Sequence, residues 1–242
     1  MKQVKEDNID RKEIANWYNK RYASGQEQSF GRPIEESVQR LEKLKRKHGG
    51  RLLDVACGQG FFLKAAHDAG YESYGIDIAA EAVAIARRIS PQSQVKIASG
   101  DDLPYPNDYF DVLTCWGSLE HHPDMRQALL EFARVTKPGA TIFLRVPNKH
   151  FWVYRMGQLL GMRTGTEQQE LIEHLLTLSD WLPLFEAAGL SVVEVSPDNW
   201  FLQQPFDIRH GLLQSGKLAL RKAALAVAPL SQTYSFDFRC RI

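Results

Sequence analysis

Leu52-Leu53-Asp54-Val55-Ala56-Cys57-Gly58-Gln59-Gly60 reads as a buried strand that ends in a Gly-x-Gly turn and opens a helix at Phe61. Small residues at such a turn let the backbone approach a ligand closely, and the helix N-terminus presents N–H groups to an anion. Asp77 follows Gly58 by nineteen residues and directly follows the next apolar run, Ser73-Tyr74-Gly75-Ile76. An acid at the tip of a second strand is placed to accept both ribose hydroxyls of a nucleoside. The dinucleotide fingerprint needs a third glycine three residues on, where this chain has Leu63. A pyrophosphate site is therefore incomplete, and what stands is Asp-x-x-x-Gly-x-Gly.

Outward from this stretch the chain alternates short apolar runs with helical ones. Helices are expected at Phe61 to Ala69, Ala79 to Arg88 and Met125 to Val135, the last ended by Lys137-Pro138-Gly139. Strands are expected at Val95 to Ile97, Phe110 to Cys115 and Thr141 to Val146. That rhythm implies right-handed crossovers and a mostly parallel sheet. Beyond Pro147 it breaks. Ser179-Asp180 reads as the N-cap of a helix through Ala188 closed by Gly189. Ser191 to Val195 reads as a strand, and Tyr234 to Cys240 alternates as a terminal strand. Before Leu52 the chain is polar and helical. Ile14, Trp17, Tyr18 and Tyr22 share one stripe, Val38, Leu41 and Leu44 a second, and Gly49-Gly50 stop the latter helix. The expected organisation is one domain, 1–242, comprising a helical cover (1–50), a core (51–147), and an insertion with terminal strands (148–242).

The composition suits a soluble globular protein: 44% hydrophobic and 24% charged in 242 residues, with a net charge of +1. That balance is uneven. Residues 1–51 hold 13 Lys/Arg against 8 Asp/Glu (+5), residues 52–208 hold 11 against 20 (−9), and residues 209–242 hold 6 against 1 (+5). The three cysteines, Cys57, Cys115 and Cys240, form no metal-binding or disulfide pattern. With no signal-like apolar start and no apolar run of membrane-spanning length, the expected location is the cytoplasm.

Five ordered motifs carry a resemblance. They are Asp54 to Gly60, Gly75-Ile76-Asp77, Asp101-Asp102-Leu103-Pro104-Tyr105, Phe110-Asp111-Val112-Leu113, and Arg134-Val135-Thr136-Lys137-Pro138-Gly139. Together, over Leu52 to Val195, they resemble class I S-adenosylmethionine-dependent methyltransferases of the branch acting on small molecules and on lipid-quinone or sugar intermediates. The resemblance implies an α/β, Rossmann-like, mostly parallel seven-stranded sheet flanked by helices, with an antiparallel last strand and a helical N-terminal cover.

The resemblance also implies roles. Gly58 and Gly60, with Ala56 beside them, would lie against the methionine part of S-adenosyl-L-methionine, and Asp54 would help hold its ammonium. Asp77 would take the ribose hydroxyls, and Ile78 would pack on the adenine. Aligning on Leu103-Pro104 places Ser99 and Gly100 where the family carries an acid and a small residue, so Asp101, just beyond, is the expected partner of the adenine amine. The Trp116 ring would wall the sulfonium.

After the fourth strand, Glu120 and His121 occupy a position where the family often places a histidine. His121 is the candidate general base, Glu120 its orienting partner, and a brace for the following helix the competing role for the histidine. No metal is expected, because Glu120 and His121 alone are too few ligands. His174 is the expected polar group of an acceptor pocket drawn from the aromatic stretch Phe151-Trp152-Val153-Tyr154 and Trp181. Each of those aromatics also reads as core.

Ile208 to Pro229 reads as an amphipathic helix packed on the sheet or on a second subunit, with membrane-surface contact the less favoured alternative. Nucleic acid is not expected as a partner, since the exit Trp116-Gly117-Ser118-Leu119 carries no base clamp. The expected activity is methyl transfer to a small-molecule acceptor, foremost at oxygen. The alternatives are N- or C-methylation of a lipid, quinone or sugar intermediate, and a non-catalytic cofactor-binding protein.

Overall fold

The computed structural model describes residues 10–24, 34–44, 49–151, 171–198, 230 and 233–242. In chain order the elements are α1 (Arg11–Ala23), α2 (Ile34–Lys43), β1 (Arg51–Val55), α3 (Phe61–Asp68), β2 (Glu72–Asp77), α4 (Ala80–Ile89), β3 (Gln94–Ile97) and β4 (Phe110–Trp116). Then follow α5 (Met125–Val135), β5 (Thr136–Pro147), α6 (Leu178–Ala187), β6 (Ser191–Asp198) and β7 (Ser235–Arg241). The strands form one sheet of seven in the order β3-β2-β1-β4-β5-β7-β6. β1 to β5 run parallel, and β7 pairs antiparallel with both β5 and β6.

Both faces of the central strands are covered, which is why they read as near-continuous apolar runs. Leu53, Val55, Leu113, Cys115, Ile142 and Leu144 face one side, where they meet Leu129 and Phe132 of α5 and Trp181 and Phe185 of α6. Leu52, Val112 and Phe143 face the other, against Leu41 of α2 and Phe62 and Ala66 of α3. The strand order reverses between β1 and β4, and a crevice at such a switch point, outside the carboxyl ends of the strands, is where open α/β sheets hold ligands.

Two of the boundaries that differ from the sequence reading have a clear physical cause. The N-cap of α6 is Thr177, not Ser179 or Asp180, because Asp180 is the third residue of a capping box and reaches back to the Thr177 N–H at 2.9 Å. β5 begins at Thr136 rather than Thr141. Thr136 pairs with Phe110 before the ladder resumes at Val112 and Thr141, so Lys137-Pro138-Gly139 form a bulge that accommodates the proline. Lys137 is pinned there by Asp111 at 2.9 Å. The expected helix 208–229, and Trp152, Val153 and Tyr154, lie outside the described residues.

The third and fifth motifs are one physical unit. Glu131 of α5 accepts the Leu103 N–H at 2.8 Å, and Arg134 donates to the carbonyls of Leu103 and Tyr105 at 3.0 and 2.8 Å. The loop after β3 is thereby clamped to α5, which fixes the backbone from Ser99 to Tyr105 beside the crevice.

Candidate active site

The crevice is a cavity of about 440 Å³ at the carboxyl ends of β1, β2, β4 and β5, roofed by Ile14, Tyr18 and Tyr22 of α1 and by Ser37 and Arg40 of α2. Its floor is the glycine turn. Ala56 holds a left-handed conformation (φ 56°), unusual for a residue with a Cβ and costing about 1–2 kcal/mol. Gly60 follows at φ 81°, where a Cβ would lie 2.9 Å from the Ala86 backbone. Glycine there lets α3 start hard against α4. The first turn of α3 has no side-chain cap, so its N–H groups stay available at the cavity wall.

Asp77 fixes this turn. Its Oδ2 accepts the Gly58 N–H and its Oδ1 accepts the Ala79 N–H, both at 2.9 Å. The carboxylate is thus aimed before any ligand arrives, and with Ile78 it lines the cavity. Asp54, one strand inward, accepts from Thr114 Oγ1 at 2.7 Å. Burial pushes its carboxyl up to about 7, against the Thr114 hydrogen bond and with help from the Asp77 charge. A buried acid poised to ionise suits a cationic group.

Asp54, Ala56, Gly58, Gly60, Asp77, Ile78, Gly100, Trp116, Glu120 and His121 all line this one cavity. Asp101 does not. Its buried carboxylate is ion-paired through Oδ2 with Arg11 of α1 at 3.0 Å, which latches the roof, while its buried Oδ1 has no hydrogen-bond partner among the described residues. Trp116 lines the cavity, but its ring centroid lies 5.0 Å from the Arg40 guanidinium and 5.1 Å from that of Arg145. A ring held by two cations is a poor wall for a third.

His174 also departs from expectation. It is not part of the cavity lining, and its link to the site is its main-chain N–H, which donates to the Glu120 carbonyl at 2.9 Å. Phe151 and Trp181 are core residues, with Trp181 Nε1 donating to the Pro147 carbonyl at 3.1 Å.

His121 Nδ1 lies 2.6 Å from the Ile172 carbonyl oxygen, and its Nε2 lies 3.9 Å from Glu120 Oε1. A carbonyl only accepts, so Nδ1 carries the proton and Nε2 is the basic nitrogen of the neutral ring.

The sequence reading missed Arg40. Its side chain is more than nine-tenths buried, its Nη2 binds Glu36 at 3.1 Å, and its buried Nε has no hydrogen-bond partner. It missed Arg145 as well, a cavity residue paired with Asp237 at 2.7 and 3.0 Å and with Asp198 at 3.1 Å, while Lys43 closes the cluster on Asp237 at 2.6 Å. Arg40 lies within the apolar stripe Val38-Leu41-Leu44, where an isolated basic residue reads as solvated.

These features fit S-adenosylmethionine. Asp77 suits the ribose, Asp54 the ammonium, and the unsatisfied buried Nε of Arg40 a carboxylate. A model of the methyltransferase domain family matches residues 25–195, most of the chain. The ubiquinone biosynthesis O-methyltransferase of Coxiella burnetii (strain Dugway 5J108-111) is 25% identical over 222 residues, covering 84% of this chain and 92% of the relative. That of Aeromonas salmonicida is 28% identical over 170 residues, 65% of this chain and 71% of the relative. Among solved structures, the magnesium protoporphyrin IX methyltransferase of Synechocystis PCC 6803 with bound S-adenosylhomocysteine shares the fold, with a TM-score of 0.66, 14% identity, and coverage of 96% and 99% of the two chains. The methyltransferase bound to the Haloferax volcanii Trm112 activator has a TM-score of 0.66, 19% identity, and coverage of 93% and 96%.

The chain belongs to the methyltransferase domain family and is a class I S-adenosylmethionine-dependent methyltransferase. It is an enzyme that uses that cofactor as its methyl donor.

Proposed function

We propose that the acceptor is a ring-bearing small molecule of quinone or phenol type, methylated at a hydroxyl oxygen with His121 as general base. The observation that carries this reading is the orientation of His121. Its Nδ1 is tied to Ile172, which leaves Nε2 as the basic nitrogen of a residue that lines the same cavity as the cofactor cradle. The ubiquinone O-methyltransferases, matched over most of the chain, support the acceptor class.

When bound, S-adenosylmethionine supplies a methyl group already activated on a sulfonium. The chain's own work is then alignment, exclusion of water and removal of one proton. Asp77 and the glycine turn would hold the cofactor's ribose and its methionine backbone. Asp54 and Arg40 would take its ammonium and its carboxylate. Tyr18 and Tyr22 roof the site against water. His121 takes the hydroxyl proton at Nε2, and Glu120 beside it favours the imidazolium that results. His174 steadies Glu120 through the main chain. The protein acts as one elaborated domain in the cytoplasm.

The test is S-adenosylhomocysteine formation with a panel of catechols, phenols, amines and carbon acids. Turnover confined to hydroxyl acceptors, with the methyl on oxygen, is expected. Turnover confined to amines or carbon acids contradicts the reading.

A further inference from the structure

We propose that His122 reads the exocyclic amine of the cofactor's adenine, accepting its N–H at Nε2. The inference rests on the methyltransferase reading above and adds the residue that decides which base the site takes.

The run Glu120-His121-His122 divides between two neighbours. Glu120 and His121 are bonded to the segment after residue 170, through His174 and Ile172. His122 turns toward the loop after β3. Its Nδ1 lies 2.9 Å from the Ser118 carbonyl oxygen, its ring meets Phe132 edge-on with centroids 6.5 Å apart, and its Nε2 abuts Gly100 so closely that a Cβ there would collide with it. Glycine at position 100 is thus what leaves room for the imidazole at the cavity wall.

This is the base end of the cavity. Asp77 and Ile78 close β2, and Ala98, Ser99 and Gly100 follow β3, its outer neighbour. A nucleoside whose ribose meets Asp77 therefore extends its base toward Ser99, Gly100 and His122.

The chemistry of recognition follows from the tautomer. Ser118 offers a carbonyl, so His122 Nδ1 carries the proton and Nε2 carries the lone pair of the neutral ring. Burial holds the imidazole below its ordinary range and His121 acts in the same direction, while Asp101 and the Ser118 and Leu119 carbonyls act against them. Nε2 forms no hydrogen bond among the described residues, and His122 lines the cavity.

The alternatives at this end discriminate less. Asp101 gives Oδ2 to Arg11 and, although its buried Oδ1 has no hydrogen-bond partner among the described residues, it does not line the cavity; the Ser99 hydroxyl both donates and accepts, so it tolerates an amine or a carbonyl alike. A neutral imidazole with its donor already spent accepts only, and it sets a lone pair against a base that carries oxygen at that position.

Calorimetry with S-adenosylhomocysteine and its deaminated analogue S-inosylhomocysteine tests this. Wild type is expected to prefer the adenine compound by about tenfold or more, the range of one lost buried hydrogen bond. His122→Leu should bring the two affinities within about threefold of each other while keeping a wild-type melting profile. His122→Asn, whose amide oxygen accepts, should keep part of the preference, and Gly100→Ala, which displaces the ring, should behave like His122→Leu. Full preference retained by His122→Leu, or equal binding of both compounds by wild type, overturns the proposal alone. Wild type that binds neither overturns the methyltransferase reading and the proposal with it.

Discussion

The His121 imidazole donates from Nδ1 to the main-chain carbonyl of Ile172, 2.6 Å away and fifty-one residues along the chain. That one bond selects the tautomer and turns a histidine in a single turn of 3₁₀ helix, Leu119–His121, into a base with its basic nitrogen defined. His121→Ala should lower kcat by about 10²- to 10⁴-fold and leave the affinity for S-adenosylhomocysteine unchanged. The defect should shrink for acceptors whose hydroxyl is already ionised at the assay pH. A uniform loss across acidic and ordinary phenols contradicts the base assignment.

Asp54 makes binding pH-dependent. Its carboxyl lies at about 7 in the folded chain, against its ordinary 3.8. Between those values the folded state keeps a proton the unfolded state has released, so this group's contribution to stability falls as pH rises through that window. Asp54→Asn should flatten that slope in chemical denaturation. Because a bound ammonium favours the carboxylate, cofactor binding near pH 6 should release a proton. Calorimetry in two buffers of different ionisation enthalpy should show it for wild type and not for Asp54→Asn.

The assignment of Arg40 to the cofactor's carboxylate predicts a loss confined to that one group of the ligand. Arg40→Met should weaken S-adenosylhomocysteine by about 10- to 100-fold, the worth of a hydrogen bond to a charged group. It should leave the affinity for the decarboxylated analogue, 5′-deoxy-5′-(3-aminopropylthio)adenosine, nearly unchanged. Equal losses on both ligands would assign Arg40 a structural role in packing Trp116.

The ion cluster at the far end of the cavity is predicted to matter for folding. Asp237 is fully buried and holds Arg145 and Lys43 at 2.6–3.0 Å, so Asp237→Ala leaves the buried Arg145 guanidinium with Asp198 where it had two carboxylate partners. The expected loss is about 3–5 kcal/mol in urea denaturation. The Lys64–Asp68 pair on α3, half-exposed at 3.0 Å, should lose at most about 0.5 kcal/mol on Asp68→Ala.

Much of this was legible in the chain. The glycine turn, Asp77 and the strand–helix rhythm are local signals, each carried by residues a few positions apart, and the element boundaries they predict are close to those observed. The site failed to read out wherever a role depends on a distant partner. Asp101 looks like a ligand group until Arg11, ninety residues earlier, is brought beside it. Arg40 and Arg145 look like ordinary basic residues until the fold buries them on opposite sides of the chain's order, around Trp116. Nothing in the sequence sets His122 apart until Gly100 meets it across the β3 and β4 loops. The charge segments carry a similar lesson, since in the fold Lys43 of the basic first segment pairs with Asp198 of the acidic centre and with Asp237, the one acid of the basic last segment.

The central claim is that Asp77 and the glycine turn form a working cradle for S-adenosylmethionine, and titration of S-adenosylhomocysteine into wild type and Asp77→Ala tests it most directly. Asp77 accepts the N–H of Gly58 and faces the expected ribose, so one substitution removes both the ligand contact and the brace of the turn. The predicted result is saturable one-to-one binding by wild type and at least about a hundredfold weaker binding by the variant. No binding by wild type, or undiminished binding by Asp77→Ala, would contradict it.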